Sequence, residues 1–153
     1  MSSATTRRDY TIKEAAALSG LPASTLRYYE SIGVIAPVGR GASSGHRVYG
    51  EDDLDQIMWV ACLAATGMSV RDMRKYVANG QVGPSAAAEQ IDLLAEQQRR
   101  LVVEAKQVVL RQRYVALKID YWKAVAAGED RRAELLSGEA RALADELKRA
   151  GKQ

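Results

Sequence analysis

The side chains best equipped for chemistry are few: one cysteine, Cys62, and one histidine, His46, in 153 residues. Covalent catalysis needs a nucleophile held against a base, and a metal site needs several nitrogen or sulfur ligands. Cys62 and His46 stand in different segments and supply neither. Residues 39–45 are glycine-rich but do not lead from a strand into a helix, so they are no phosphate-cradling loop. No enzymatic activity, no cofactor and no metal site are expected. The sequence concentrates cationic hydrogen-bond donors instead. Residues 7–47 carry six basic against three acidic residues, residues 48–80 three against five, and the stretch from Gly128 onward six of each. The net charge of +3 says little; the placement of the excess says more, because a clustered basic surface attracts polyanions.

Those donors need elements to present them. Thr11-Ile12-Lys13-Glu14 reads as a capping box, a hydroxyl capping helix amides while a glutamate reaches back. It predicts a first helix with Ile12, Ala15, Ala16 and Leu18 on its apolar face. Ser19-Gly20-Leu21 predicts a tight turn, and a second helix is expected over residues 22–31, with Pro22 tolerated at its start. Residues 34–35 and 47–49 read as two short strands flanking the flexible residues 39–45, the pattern of a wing with a mobile basic tip. A third helix over residues 52–66 is expected to bury Leu54, Ile57, Met58, Ala61 and Ala65. A fourth, over residues 70–78 and capped by Ser69, turns Val70, Met73 and Val77 inward. Asn79-Gly80 through Gly83-Pro84 predicts a boundary. The longest apolar run, residues 57–68, is too short to span a bilayer, and the N-terminus has no apolar signal region. A single cysteine permits no intrachain disulfide, so a cytoplasmic protein is expected.

Residues 85–127 read as one long helix. Leu94, Leu101, Val108, Val115 and Trp122 recur every seven residues, with Ile91, Gln98, Ala105, Gln112, Ile119 and Ala126 as companions. The two sets alternate as the seam positions of a coiled coil. This stripe can lie on the N-terminal part of its own chain or against a second copy. The N-terminal part is too small to cover so many turns, which favours a homodimer. Gly128 breaks the helix. Residues 129–153 can form a further helix with a thin stripe of Leu135, Leu136, Leu143 and Leu147, but Gly138 and the balanced charges make it marginal, and residues 128–153 read as a loosely docked or disordered charged tail.

The most informative residues are Thr25-Leu26-Arg27-Tyr28-Tyr29-Glu30, Gly33-Val34-Ile35-Ala36-Pro37, Arg40, Gly45-His46-Arg47-Val48-Tyr49 and Leu54. On these the sequence resembles the mercury-resistance-regulator (MerR) family of transcription factors, closely over residues 10–80 and more loosely to Trp122. The resemblance implies a mainly α fold. A winged helix-turn-helix DNA-binding domain would span residues 10–80, a dimerisation helix forming an antiparallel coiled coil residues 85–127, and the charged tail residues 128–153. It further implies a homodimer on an inverted-repeat site in double-stranded promoter DNA, in a bacterial, nucleoid-associated setting. Distortion of that DNA would bring promoter elements into register for RNA polymerase, with no membrane involved. Dimerisation would run through Ile91, Leu94, Leu101, Val108, Val115, Ile119 and Trp122.

Within the head, the N-terminal side chains of the second helix suit base edges: Ser24, small beside Ala23, and Arg27. Tyr28 and Tyr29 suit phosphate oxygens, although helical spacing also puts Tyr29 on the Leu26 face as a core aromatic. Arg40 and Arg47, at the tip and base of the wing, suit backbone phosphates. His46 joins this DNA-facing set as a solvated wing residue, where the family often has an aromatic. Pro22 stands where the family often has a hydroxyl. Tyr49 is expected to pack the wing on the core, and Glu30 to partner a basic residue internally.

Metal-sensing members of the family place a cysteine at the start of the long helix. Gly83-Pro84-Ser85-Ala86 stands there instead, with no Cys or His downstream, so metal sensing is rejected. A lone Cys62 and the run Lys118-Ile119-Asp120-Tyr121-Trp122 resemble the branch responding to aldehydes, other electrophiles or nitrosative stress. That makes Cys62 the candidate thiol sensor. The competing reading is a small buried hydrophobe: Cys62 follows Leu54 and Met58 at helical spacing, and no basic residue between Asp55 and Arg71 is there to activate it. The alternative function is an architectural or recombination-type DNA-bending protein with no effector.

Overall fold

The computed structural model describes residues 7–151. Among them, six α-helices, one short 3-10 turn and one two-stranded hairpin follow one another along the chain. The contacts divide the chain after Leu94 into two compact units.

In the first unit, α1 (Ile12–Ser19) opens on the capping box. Thr11 Oγ1 accepts from the Glu14 amide at 3.1 Å, and Glu14 Oε1 accepts from the Thr11 amide at 3.2 Å. Gly20 ends the helix at φ 75°, a left-handed conformation in which a side chain is strained, and its amide donates to Ala16 O. The chain then turns through Leu21 and Pro22 into α2 (Ala23–Ser31). Leu26 and Tyr29 of α2 face the core.

β1 (Gly39–Arg40) pairs antiparallel with β2 (Arg47–Val48), Gly39 opposite Val48 and Arg40 opposite Arg47. This corrects the expected wing. Residues 34–35 form no strand; β1 lies inside the stretch expected to be a flexible connection. Val34 and Ile35 are buried, and their amides donate to Tyr29 O at the end of α2. Burying two branched side chains as a plug under α2 removes more apolar surface from water than an exposed two-stranded ribbon would. Tyr10 and Tyr49 exchange backbone hydrogen bonds of 2.8 and 2.9 Å, which ties the second wing strand to the start of the unit.

α3 (Glu51–Ala65) begins where Asp53 Oδ2 accepts from the Gly50 amide at 2.8 Å. Its buried stripe is Leu54, Ile57 and Val60. Met58 and Ala65, expected inside, are exposed, and so is Cys62. The stripe centres on Ile57, and at 3.6 residues per turn those three positions point roughly 80–140° away from it. α4 (Val70–Val82), capped by Ser69, runs through the expected boundary at Asn79-Gly80. Asn79 Nδ2 donates to Gln90 Oε1 at 3.1 Å, and Gln90 Nε2 donates to Tyr76 O at 2.9 Å. These bonds hold the last turn of α4, where Gly80 alone would cost about 1 kcal/mol relative to alanine. A 3-10 turn, Pro84–Ala86, leads into α5 (Ala87–Ala126).

The second unit holds the rest of α5 and α6 (Asp130–Ala150). Here the marginal helix is the one that forms, over 21 residues, in place of a loose tail. Gln107 Nε2 donates to Ala150 O at 3.0 Å across 43 positions, so α6 doubles back antiparallel along α5. The reason is a second heptad on α5: Gln107, Leu110, Tyr114, Leu117, Tyr121 and Ala124 alternate at three- and four-residue steps and are shielded. On α6, Ala133, Leu136, Ala140, Leu143, Leu147 and Ala150 repeat those steps and are shielded too, whereas Leu135 is exposed. Small residues in this row let the two backbones approach closely. On the opposite side of α5, the stripe expected for dimerisation stays exposed on the single chain at all seven positions from Ile91 to Trp122.

Candidate nucleic-acid interface

The geometry of α2 sorts its side chains. Leu26 and Tyr29 point inward, so Ser24, Arg27 and Tyr28 are left to solvent. The alternatives for the tyrosines are therefore resolved differently for each. Tyr28 is 52% exposed, while Tyr29 is 7% exposed and belongs to the core. Tyr29 thus supports the outer face through its neighbour, their ring centroids lying 6.2 Å apart.

The wing brings two further polar side chains to solvent, Arg40 and His46. Arg40 Nη1 donates to Gly45 O at 3.3 Å, and the Gly41 amide donates to His46 O at 2.9 Å, which fixes the hairpin end. Arg47 is different. Its Nε donates to Glu30 Oε1 at 2.8 Å, with the two side chains only 21% and 13% exposed. Glu30 Oε2 accepts from the Val38 amide at 2.8 Å. One carboxylate thus clamps both ends of the wing to α2. Burial opposes the charge on Glu30, but the Val38 amide, the Arg47 guanidinium and the more distant Arg40 outweigh it and hold the carboxyl below its ordinary range. Arg47 is accordingly a wing anchor first, with its terminal nitrogens left for other acceptors.

Tyr49 packs under the wing, fully buried, as its sequence position suggested. Burial pushes its phenol up, reinforced by the Glu30 carboxylate, against the pull of Arg47 and, with smaller effect, Arg27 and Arg40. Its hydroxyl has no hydrogen-bond partner among the described residues.

These elements enclose a recess of about 280 Å³ lined by Thr11, Ile12, Lys13, Arg27, Arg40, His46 and Arg47. Sequence reasoning missed Lys13. The available signal was a lysine on the solvent side of a helix's first turn, with no other role in the capping box.

The remaining candidates are distributed elsewhere. Cys62 sits exposed on α3. The seam residues occupy the open face of α5. Among the described residues no cluster of three or more His, Cys, Asp or Glu side chains could hold a metal, and no helix is long and apolar enough to cross a membrane.

Comparison with known proteins agrees with this architecture. The sequence profile of the MerR HTH family regulatory proteins matches residues 10–80. The HTH-type transcriptional regulator AdhR of Bacillus subtilis is 35% identical over 91 residues, which cover 60% of this chain and 64% of that regulator, so the chain spans less than two thirds of it. An uncharacterized HTH-type transcriptional regulator of Pseudomonas aeruginosa is 38% identical over 90 residues, covering 59% of this chain and 67% of that one. Among solved structures, that of HiNmlR, a MerR family regulator lacking the sensor domain and bound to promoter DNA, superimposes with a TM-score of 0.63 at 28% identity, over 84% of this chain and 96% of that one. With a matching winged helix-turn-helix, long helix and sequence, this chain is a member of the MerR family of helix-turn-helix transcriptional regulators.

Proposed function

We propose that this protein binds an inverted-repeat site in promoter DNA as a homodimer and controls transcription by distorting that DNA. The observation that carries the reading is the division of labour in the head. Ser24, Arg27 and Tyr28 emerge together from α2, beside Arg40 and His46 on a hairpin that Glu30 fastens to the same helix. Arg27 and Ser24 address base edges in the major groove; Tyr28, the wing and the free nitrogens of Arg47 address phosphates. A structural relative, HiNmlR, is described as bound to promoter DNA.

The homodimer uses the open face of α5. Its seam is self-complementary in an antiparallel pairing centred between residues 106 and 107. Ile91 then meets Trp122 of the second copy, Leu94 meets Ile119, Gln98 meets Val115, Leu101 meets Gln112 and Ala105 meets Val108. Such a pairing is two-fold symmetric, as an inverted repeat requires. It covers the exposed stripe, and α6 occupies the other side of α5 without competing for it. Bending a site of this size costs on the order of 1–6 kcal/mol, which phosphate contacts from two heads can offset. The distorted promoter is the form presented to RNA polymerase.

The input we assign to this switch is covalent modification of the exposed Cys62 thiol by an electrophile or nitrosating agent. The test is transcription in vitro from the gene's own promoter region, with a footprint over the site. Arg27→Ala should lose about 1–3 kcal/mol of discrimination between sites. Cys62→Ser should bind normally but no longer respond to formaldehyde or a nitrosating agent. Equal footprints on promoter and unrelated DNA, together with identical responses of the two proteins, would favour a DNA-bending protein without effector.

A further inference from the structure

The recess at the junction of α1, α2 and the wing has an electrostatic character that the major-groove contacts do not account for. Its lining brings together Lys13, Arg27, Arg40, His46 and Arg47, and includes no carboxylate. The two nearest acidic residues along these elements lie outside the lining, and only Glu30 offsets one of its cations, Arg47. Glu14 holds the Thr11 amide and Arg8, and Glu30 holds the Val38 amide and Arg47. Lys13 and Arg27 have no ion-pair partner among the described residues. Arg47 is already paired with Glu30, but Lys13, Arg27 and Arg40 border one small concavity, and their mutual repulsion is relieved when an anion enters. The recess therefore carries an excess of positive charge at its border, and three separate elements contribute to it.

We propose that this recess seats a single phosphodiester of the DNA backbone, and that Lys13 is the positioning residue that holds it. The proposal rests on the DNA-binding reading and goes beyond it by naming the site, the ligand group and a residue outside the base-reading set. Lys13 supplies a compact point charge on a flexible stem, suited to a phosphate oxygen. Because α1, α2 and the wing all border the seat, a phosphate held there fixes the angle at which Arg27 enters the groove. Lys13 itself reads no sequence.

The experiment measures binding of the full-length protein to two duplexes of unrelated sequence by fluorescence anisotropy across a salt series. In Lys13→Gln the slope of log K against log salt should fall in magnitude by about 0.9 per bound subunit, equally on both duplexes. Lys13→Arg should restore it. Lys13 is solvent-exposed, so the variants should melt with wild type, which a thermal scan checks. If wild type binds but Lys13→Gln keeps the wild-type slope, the seat is wrong while the DNA reading stands. If wild type shows no salt-dependent binding, both fall. Inorganic phosphate, followed through the amide resonances of residues 11–13, distinguishes the other source of this chemistry. Saturable binding of free phosphate that Lys13→Gln abolishes, with the duplex slope unchanged, would assign the recess to a soluble anion and overturn the proposal.

Discussion

Replacing Glu30 with glutamine removes one charge and keeps the shape of the side chain. The amide oxygen can still accept from the Val38 amide, but the charge-assisted bond to Arg47 Nε at 2.8 Å is lost. Exposed ion pairs contribute about 0–1 kcal/mol, whereas hydrogen bonds to charged groups in sheltered positions contribute about 1.5–3 kcal/mol. With the two side chains 21% and 13% exposed, this pair belongs nearer the second class. A coupling of about 2 kcal/mol is expected from the cycle of Glu30→Gln, Arg47→Gln and the double variant. In a head of this size that corresponds to about 10 °C in the midpoint of unfolding. Fluorescence of Trp59, in a Trp122→Phe background, reports the head alone. Because the folded-state carboxyl is held below its ordinary range, the stabilisation is complete above the ordinary glutamate value, about 4.3. It is lost as the pH falls through the lowered folded value. Wild type and Glu30→Gln should therefore differ at neutral pH and converge in acid. A coupling under about 0.5 kcal/mol, or a difference that persists unchanged in acid, would refute the view that this pair clamps the wing.

Val108→Glu sets a carboxylate beside the two-fold axis of the proposed seam, where each copy brings its own, and should shift the dimer toward monomer by at least about tenfold, or 1.4 kcal/mol, in sedimentation equilibrium. Leu143→Ala empties a buried position of the α5–α6 hairpin and should destabilise the second unit by about 2–3 kcal/mol, read as lost helicity in urea. An effect below about 0.5 kcal/mol would argue that α6 is not docked. Thr11→Ala removes the cap of α1 and should cost about 1 kcal/mol of head stability, with Thr11→Ser restoring it.

Much of this protein is determined by local sequence. The capping box at Thr11 and the left-handed Gly20 act through neighbours close in the chain, and the seven-residue recurrence from Leu94 to Trp122 and the Arg27-to-Tyr49 motif are legible as patterns of residue type and spacing. Positions set by long-range packing are not. The burial of Val34 and Ile35 in place of a strand depended on space beneath α2. The outward turn of Cys62 depended on which phase of α3 meets the core, a choice of one residue in three that its mixed apolar pattern leaves open. The difference between Tyr28 and Tyr29, one solvated and one buried, follows from the same kind of phase. The most consequential case is α6. Its apolar row is too thin to predict a stable helix alone, and it becomes stable because α5 carries a second seam, shielded once the chain has reversed at Gly128. Gathering Lys13, Arg27, Arg40 and Arg47 around one recess likewise required the tertiary structure, because these residues come from three elements and only their packing brings like charges together.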